Sequence, residues 1–248
     1  MAINKSMRRV LKALSFDGIE VEASRHLANL KAIDPMKIFH KTIDYKIYNG
    51  NHQIPVRIFL PGEKMEDDLP VFLFFHGGGW VTESIDNYER ICARLASATD
   101  HIVVSVEYRL APEHPYPAAV EDAMRAWDYL MYQGYGAENV TVTGDSAGGN
   151  LALVLCRRLK AAGRRMPRAL LLMSPWTDMT MSGASYRERV ESDPMLTPEY
   201  IEAVRRAYAG DRDLHDPDLS PLLGDLGSFP PTPVSYTHLR AHETLANL

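Results

Sequence analysis

Three short apolar runs, at residues 71–75, 102–106 and 169–173, and a β-branched run at 140–143 set the architecture of this chain. Each is four or five residues long, and the apolar ones are continuous but for Ser105, the pattern of a strand covered on both faces. Helical patterns separate them, at 88–98, from Pro117 to 129, and at 151–159, with Pro117 at a permitted first-turn position. Strands alternating with helices predict an α/β fold: a mostly parallel twisted sheet with helices on both faces. Right-handed crossovers then gather the carboxyl ends of these strands on one side, where such sheets bind ligands. Upstream, 42–48 and 54–60 read as β segments around Asn49-Gly50-Asn51, a hairpin signal. Earlier still, Ile3, Met7, Val10, Leu11 and Leu14, then Leu27, Leu30 and Ile33, recur at helical spacing until Asp34-Pro35 interrupts.

The chain has 248 residues, which suits one large α/β domain with or without a small cap, and can bury a sizeable core. A net charge of -5 argues against nucleic acid, whose phosphates need a basic footprint. Cys92 and Cys156 form no CxxC and read as buried reduced thiols, which fits a cytoplasmic location. The first residues carry no apolar run of signal-peptide kind, and no stretch has the apolar length of a membrane span.

Two glycine clusters carry the chemistry. Gly144-Asp145-Ser146-Ala147-Gly148 matches G-x-S-x-G, with a β-rich run before it and a helix after. In such a turn the serine sits in strained backbone, side chains at 144 or 148 would collide with neighbouring elements, and the hydroxyl is exposed. Ser146 is therefore the expected nucleophile, with the Ala147 amide aimed at a reacting carbonyl. His76-Gly77-Gly78-Gly79-Trp80 follows another buried strand, and its bare backbone lets amides approach an oxyanion. His76 is expected to orient the glycine loop rather than act as a base. Neither cluster has the Gly-Lys-Ser/Thr ending of a phosphate loop or the spacing of a dinucleotide fingerprint. Trp80, Trp176 and Met195 follow motifs at the active end and are candidate pocket walls.

Together, His76–Trp80, the Glu107-Tyr108-Arg109-Leu110-Ala111-Pro112-Glu113 stretch with Tyr116-Pro117-Ala118-Ala119, and the Gly144–Asn150 elbow closely resemble the hormone-sensitive-lipase-like branch of the α/β-hydrolase esterases. The resemblance runs over about 43–231. Ser174-Pro175-Trp176-Thr177-Asp178 and Ser192-Asp193-Pro194 look like the bacterial esterase and lactone-hydrolase members. The resemblance implies the α/β-hydrolase fold and a carboxylic ester hydrolase acting through an acyl-enzyme on short- to medium-chain esters or lactones, without cofactor or metal. It implies Ser146 as nucleophile and the amides of Gly78, Gly79 and Ala147 as the oxyanion hole. It also makes the Tyr108–Pro117 stretch structural, with Arg109 and Glu113 as a scaffold of charge-assisted hydrogen bonds. An N-terminal helical cap, residues 1–40, would cover the pocket of a core at 41–233. The expected partner is a small ester, with a homo-oligomer left open.

The fold's chain order is Ser, then Asp or Glu, then His. After Pro233 the chain reads as unlike the rest, with no buried strand run and no acid loop. The expectation is an incomplete core, an atypical tail at 234–248, and an acid and histidine lying beyond the end. Asp178 would serve as the acid only if the acid had moved by one strand. His215 sits among Asp211, Asp213, Asp216 and Asp218, but Pro217 and the spacing do not fit a calcium loop. His238 and His242 share a helical face without a third zinc ligand. Two rival readings stand beside the esterase: a non-catalytic small-ligand binder on the same fold, and an amidase or peptidase.

Overall fold

The computed structural model describes Val21, Arg25 and residues 41–62, 69–188, 190–193 and 195–236. Most of the expected N-terminal cap and most of the 234–248 tail lie outside the described residues, as do His238 and His242. Seven strands form one sheet: β1 (Thr42–Asn49), β2 (His52–Phe59), β3 (Val71–Phe75), β4 (Ile102–Val106), β5 (Val140–Asp145), β6 (Ala169–Met173) and β7 (Val234–Ser235), in the order β1-β2-β4-β3-β5-β6-β7. The strands from β4 to β7 run parallel in the sheet, whereas β1 and β2 are antiparallel. Asn49 pairs with His52 across a two-residue loop in which Gly50 takes φ +59, as the sequence signal requires.

Helices α1 (Glu89–Thr99), α2 (Ala118–Tyr132) and α3 (Ala147–Ala161) connect the parallel strands. The strand period of two divides them between the sheet's faces. Val71, Leu73 and Phe75 turn toward the large core shared with α2 and α3, while Phe72 and Phe74 pack with Cys92, Ala93 and Ala96 of α1. Both cysteines are buried free thiols, and burial pushes the Cys92 thiol up to about 12. After β6 the chain forms a short α4 (Ser185–Glu188) and then α5 (Pro198–Ala209).

Several elements differ from the sequence reading. β5 runs two residues further, into Asp145, and α3 begins directly at Ala147 instead of at 151. Gly148 and Gly149 are poor helix formers, but close approach to β3 and Pro175 decides their conformation. α5 was not anticipated, although Thr197 caps it by accepting from the Tyr200 amide and Pro198 opens it. Finally, residues just past Pro233 do join the sheet. The amides of Leu170, Leu172 and Ser174 donate to the carbonyls of Pro231, Pro233 and Ser235, so β6 is paired on both sides.

Candidate active site

β3 and β5 are adjacent parallel strands, with Phe75 opposite Gly144. The loops that follow them, His76–Trp80 and Ser146 onward, therefore leave the same end of the sheet side by side. A methyl group on Gly148 would overlap the Phe75 carbonyl, and one on Gly144 would overlap Gly148 itself. The elbow glycines are thus what lets α3 start against β3.

Ser146 is half-buried at the junction of β5 and α3, with φ 52 and ψ -113. That conformation costs a non-glycine residue on the order of 1–3 kcal/mol and persists only where the surroundings over-determine it. They do so here. The Ser146 amide donates to the Met173 carbonyl at 2.8 Å, and its own carbonyl accepts from the amides of Asn150 at 3.1 Å and Trp176 at 3.0 Å. Its side chain does not cap the helix. Asn150, wholly buried, donates its side-chain amide to the carbonyls of Trp176 and Leu219. One residue of α3 therefore ties the elbow to the turn after β6 and to the loop before residue 220. In the sequence Asn150 reads only as the last residue of the elbow motif, and its tie between two loops shows in the fold alone.

The glycine loop is braced from three directions. Tyr108 is buried and its hydroxyl, one proton to give, lies 2.8 Å from the His76 carbonyl and 3.2 Å from that of Gly77. Its ring stacks on the His76 imidazole at 4.2 Å. Tyr88 donates to the Asp145 carboxylate at 2.7 Å, joining the loop after β3 to the elbow; burial raises both groups' pKa. On the third side lies α5, whose Val204 leaves no room for a Cβ on Gly79. Gly78 and Gly79 have φ 91 and 62, and the Gly78 carbonyl accepts from the amides of Val81 and Thr82. Among the described residues the amides of Gly78, Gly79 and Ala147 have no hydrogen-bond acceptor. Three unpaired donors beside a serine are an anion-accepting arrangement.

His76 is fully buried and holds its Nδ1 2.9 Å from the Gly77 carbonyl, to which it donates as the neutral ring. Burial depresses its pKa to about 4, with the Gly77 carbonyl pulling the other way. The ring serves the loop's geometry.

The expected pocket residues separate. Trp80 is 0% exposed, stacked flat on Tyr208 at 4.2 Å and tilted against Trp176 at 5.3 Å. Trp176 is half-buried, with its indole N–H donating to the Asp178 carbonyl. Met195 stands 48% exposed, two residues before the α5 cap. Arg109 and Glu113 do not bond one another. Arg109 makes a bidentate pair with the buried Asp122 and reaches Glu121, whereas Glu113 is paired with Arg25. Arg25 also donates to the carbonyls of Val81 and Ala111, in the loops after β3 and β4.

Asp178 accepts four hydrogen bonds, from the amides and hydroxyls of Thr180 and Ser182, and these outweigh burial to hold its pKa below the usual value. Its carboxylate is fully engaged in its own turn. Two histidine–carboxylate pairs occur among the described residues. His215–Asp213 is exposed, and His52–Asp122 involves β2, three strands from β5, roughly 14 Å at sheet spacing. Among the described residues no group of three or more His, Cys, Asp or Glu side chains is arranged to hold a metal, and no helix is long and apolar enough to cross a membrane.

A profile of the alpha/beta hydrolase fold family matches residues 72–239, which include both glycine clusters. The chain belongs to that family. Its relatives place it in the hormone-sensitive-lipase-like branch, as a carboxylesterase-like hydrolase. It is 36% identical over 254 residues to the esterase LipI of Mycobacterium tuberculosis, covering 98% of this chain and 78% of LipI. It is 34% identical over 231 residues to the carboxylesterase NlhH of the same organism, covering 87% of this chain and 70% of NlhH. Among solved structures, the hyperthermophilic esterase from the archaeon Pyrobaculum calidifontis matches with a TM-score of 0.82 at 30% identity, over 97% of this chain and 82% of that one.

Proposed function

We propose that this α/β hydrolase cleaves carboxylic esters of short to medium acyl length, or lactones, through an acyl-enzyme on Ser146. One observation carries the reading: a serine at φ 52 between β5 and α3, beside a glycine loop whose amides, with that of Ala147, lack acceptors among the described residues. The named esterase relatives support the reaction class. In the reaction, a base removes the Ser146 hydroxyl proton as Oγ attacks the ester carbonyl carbon. The carbonyl π pair moves onto oxygen, where the amides of Gly78, Gly79 and Ala147 hold the charge. Collapse expels the alcohol, which takes the proton back from the base. Water, deprotonated by the same base, then frees the acid and restores the serine. By the fold's chain order the base is a histidine following an acid. This reading assigns it outside the described residues, since His76 serves the glycine loop and His215 an exposed turn.

The test is turnover of p-nitrophenyl acetate and butyrate by the full-length protein, with its acid and histidine in place, and by its Ser146→Ala variant. The alanine variant is expected to lose roughly three orders of magnitude or more in kcat with its melting curve kept. Equal turnover by both would remove Ser146 from the reaction.

A further inference from the structure

β1 forms one edge of the sheet, and its outer side has no strand partner among the described residues. It runs eight residues in unbroken register with β2, from Thr42 opposite Phe59 to Asn49 opposite His52, with no bulge and no proline of its own. Natural edges of this length are usually interrupted by such features or guarded by charged side chains, and here the charges are Asp44 and Lys46, of opposite sign. The Leu60 amide donates to the Lys41 carbonyl, so the odd-numbered residues of β1 bond toward β2. The backbone groups of Thr42, Asp44 and Lys46 therefore face outward. Arg125 takes the Tyr48 carbonyl and ends the free stretch. Ile43 and Tyr45, on one face of β1, are 41% and 46% exposed.

We propose that this edge binds a second copy of the chain, β1 against β1 antiparallel about a dyad through Tyr45, with Asp44 of each copy opposite Lys46 of the other. Charge selects this register. Outward-facing residues must pair even with even, which leaves three central choices. Centring on Asp44 sets carboxylate against carboxylate, and centring on Lys46 sets ammonium against ammonium, each unfavourable directly across a ladder. Centring on Tyr45 pairs opposite charges twice and makes four backbone hydrogen bonds between positions 44 and 46 of the two copies. It also covers the exposed part of Ile43 and sets the two Tyr45 residues, each stacked on Tyr129 of its own chain, across the dyad from one another. Lys46 has no ion-pair partner among the described residues, and Asp44, though bonded to Arg57, keeps its side chain 66% exposed. The edge is thus self-complementary, a requirement of an isologous interface.

Sedimentation velocity over a micromolar range tests this on the whole chain. The wild type is expected to dimerise. Lys46→Asp and Asp44→Lys are each expected to weaken the dimer roughly tenfold or more, and the double swap to restore it. Lys46→Asp leaves the Asp44–Arg57 pair untouched, so its effect does not depend on that contact. Tyr45 would sit at a non-hydrogen-bonded pair, about 4.5 Å between Cα atoms, within disulfide reach. Tyr45→Cys is therefore expected to give a covalent dimer under mild oxidation, since Cys92 and Cys156 are buried. A wild type that stays monomeric, a dimer indifferent to both reversals, or a dimer that Tyr45→Cys fails to cross-link would each overturn the proposal.

Discussion

His76 couples the glycine loop to pH. Its imidazole is buried neutral, with its pKa lowered to about 4 against about 6.5 when unfolded. The unfolded chain therefore binds the extra proton first. The stabilisation is complete above pH 6.5 and is lost as pH falls toward 4, by roughly 3 kcal/mol over that window. Denaturant titrations at pH 7, 5.5 and 4.5 should show that decline, and the His76 ring resonances should titrate near pH 4 by NMR. A midpoint near 6.5 would mean the ring is not held dry. Asn150 acts on the serine through backbone alone. Replacing it with Asp keeps the shape but removes the two donors to Trp176 and Leu219. Under the proposed mechanism Asn150→Asp should lower kcat for p-nitrophenyl butyrate with little change in KM, because the serine is misplaced while the binding walls remain. The same residue shows why part of the site was illegible from sequence. The nucleophile announces itself by flanking glycines, but the bracing contacts of Tyr88, Tyr108 and Trp176, distant along the chain, and of Asn150, one turn on, exist only in the folded structure.

The elements on which packing and local chemistry agree were readable. β3 and β4 are apolar at every position but Ser105 and are buried on both faces. The hairpin turn names its own geometry in Asn49-Gly50-Asn51. α3 was only half readable, since propensity argues against helix at Gly148 and Gly149 and tertiary contact overrides it. α5 carried a readable cap in Thr197-Pro198 and buried positions at Ile201, Val204 and Tyr208, a helical spacing. Asp178 illustrates the opposite limit, because two local side chains, Thr180 and Ser182, satisfy an acid that position alone left open. Glycines of different duty should respond differently. Gly148→Ala forces a side chain into the Phe75 carbonyl and should cost about 3 kcal/mol or more, or prevent folding. Gly163→Ala meets open space at φ 61 and should cost only about 1 kcal/mol. Urea unfolding of the two variants measures the contrast.

At the level of the molecule, one sheet carries everything: a central parallel pair that sets Ser146 beside the glycine loop, and two unlike edges. On the far edge residues 231–235 lie along β6. Hydrogen exchange should accordingly find the Leu170, Leu172 and Ser174 amides protected, though less than those of β3 and β5 in the core. Fast exchange at all three would mean that pairing is not kept in solution. On the near edge β1 offers a surface that matches its own copy. The serine itself can be asked most directly by reaction with an alkyl p-nitrophenyl phosphonate, which a nucleophile facing an oxyanion hole displaces to release p-nitrophenolate. Tandem mass spectrometry should find a single phosphonyl adduct on the peptide that carries Ser146, and none in Ser146→Ala. An adduct on another side chain, or an unmodified Ser146 peptide after prolonged exposure, would contradict the assignment.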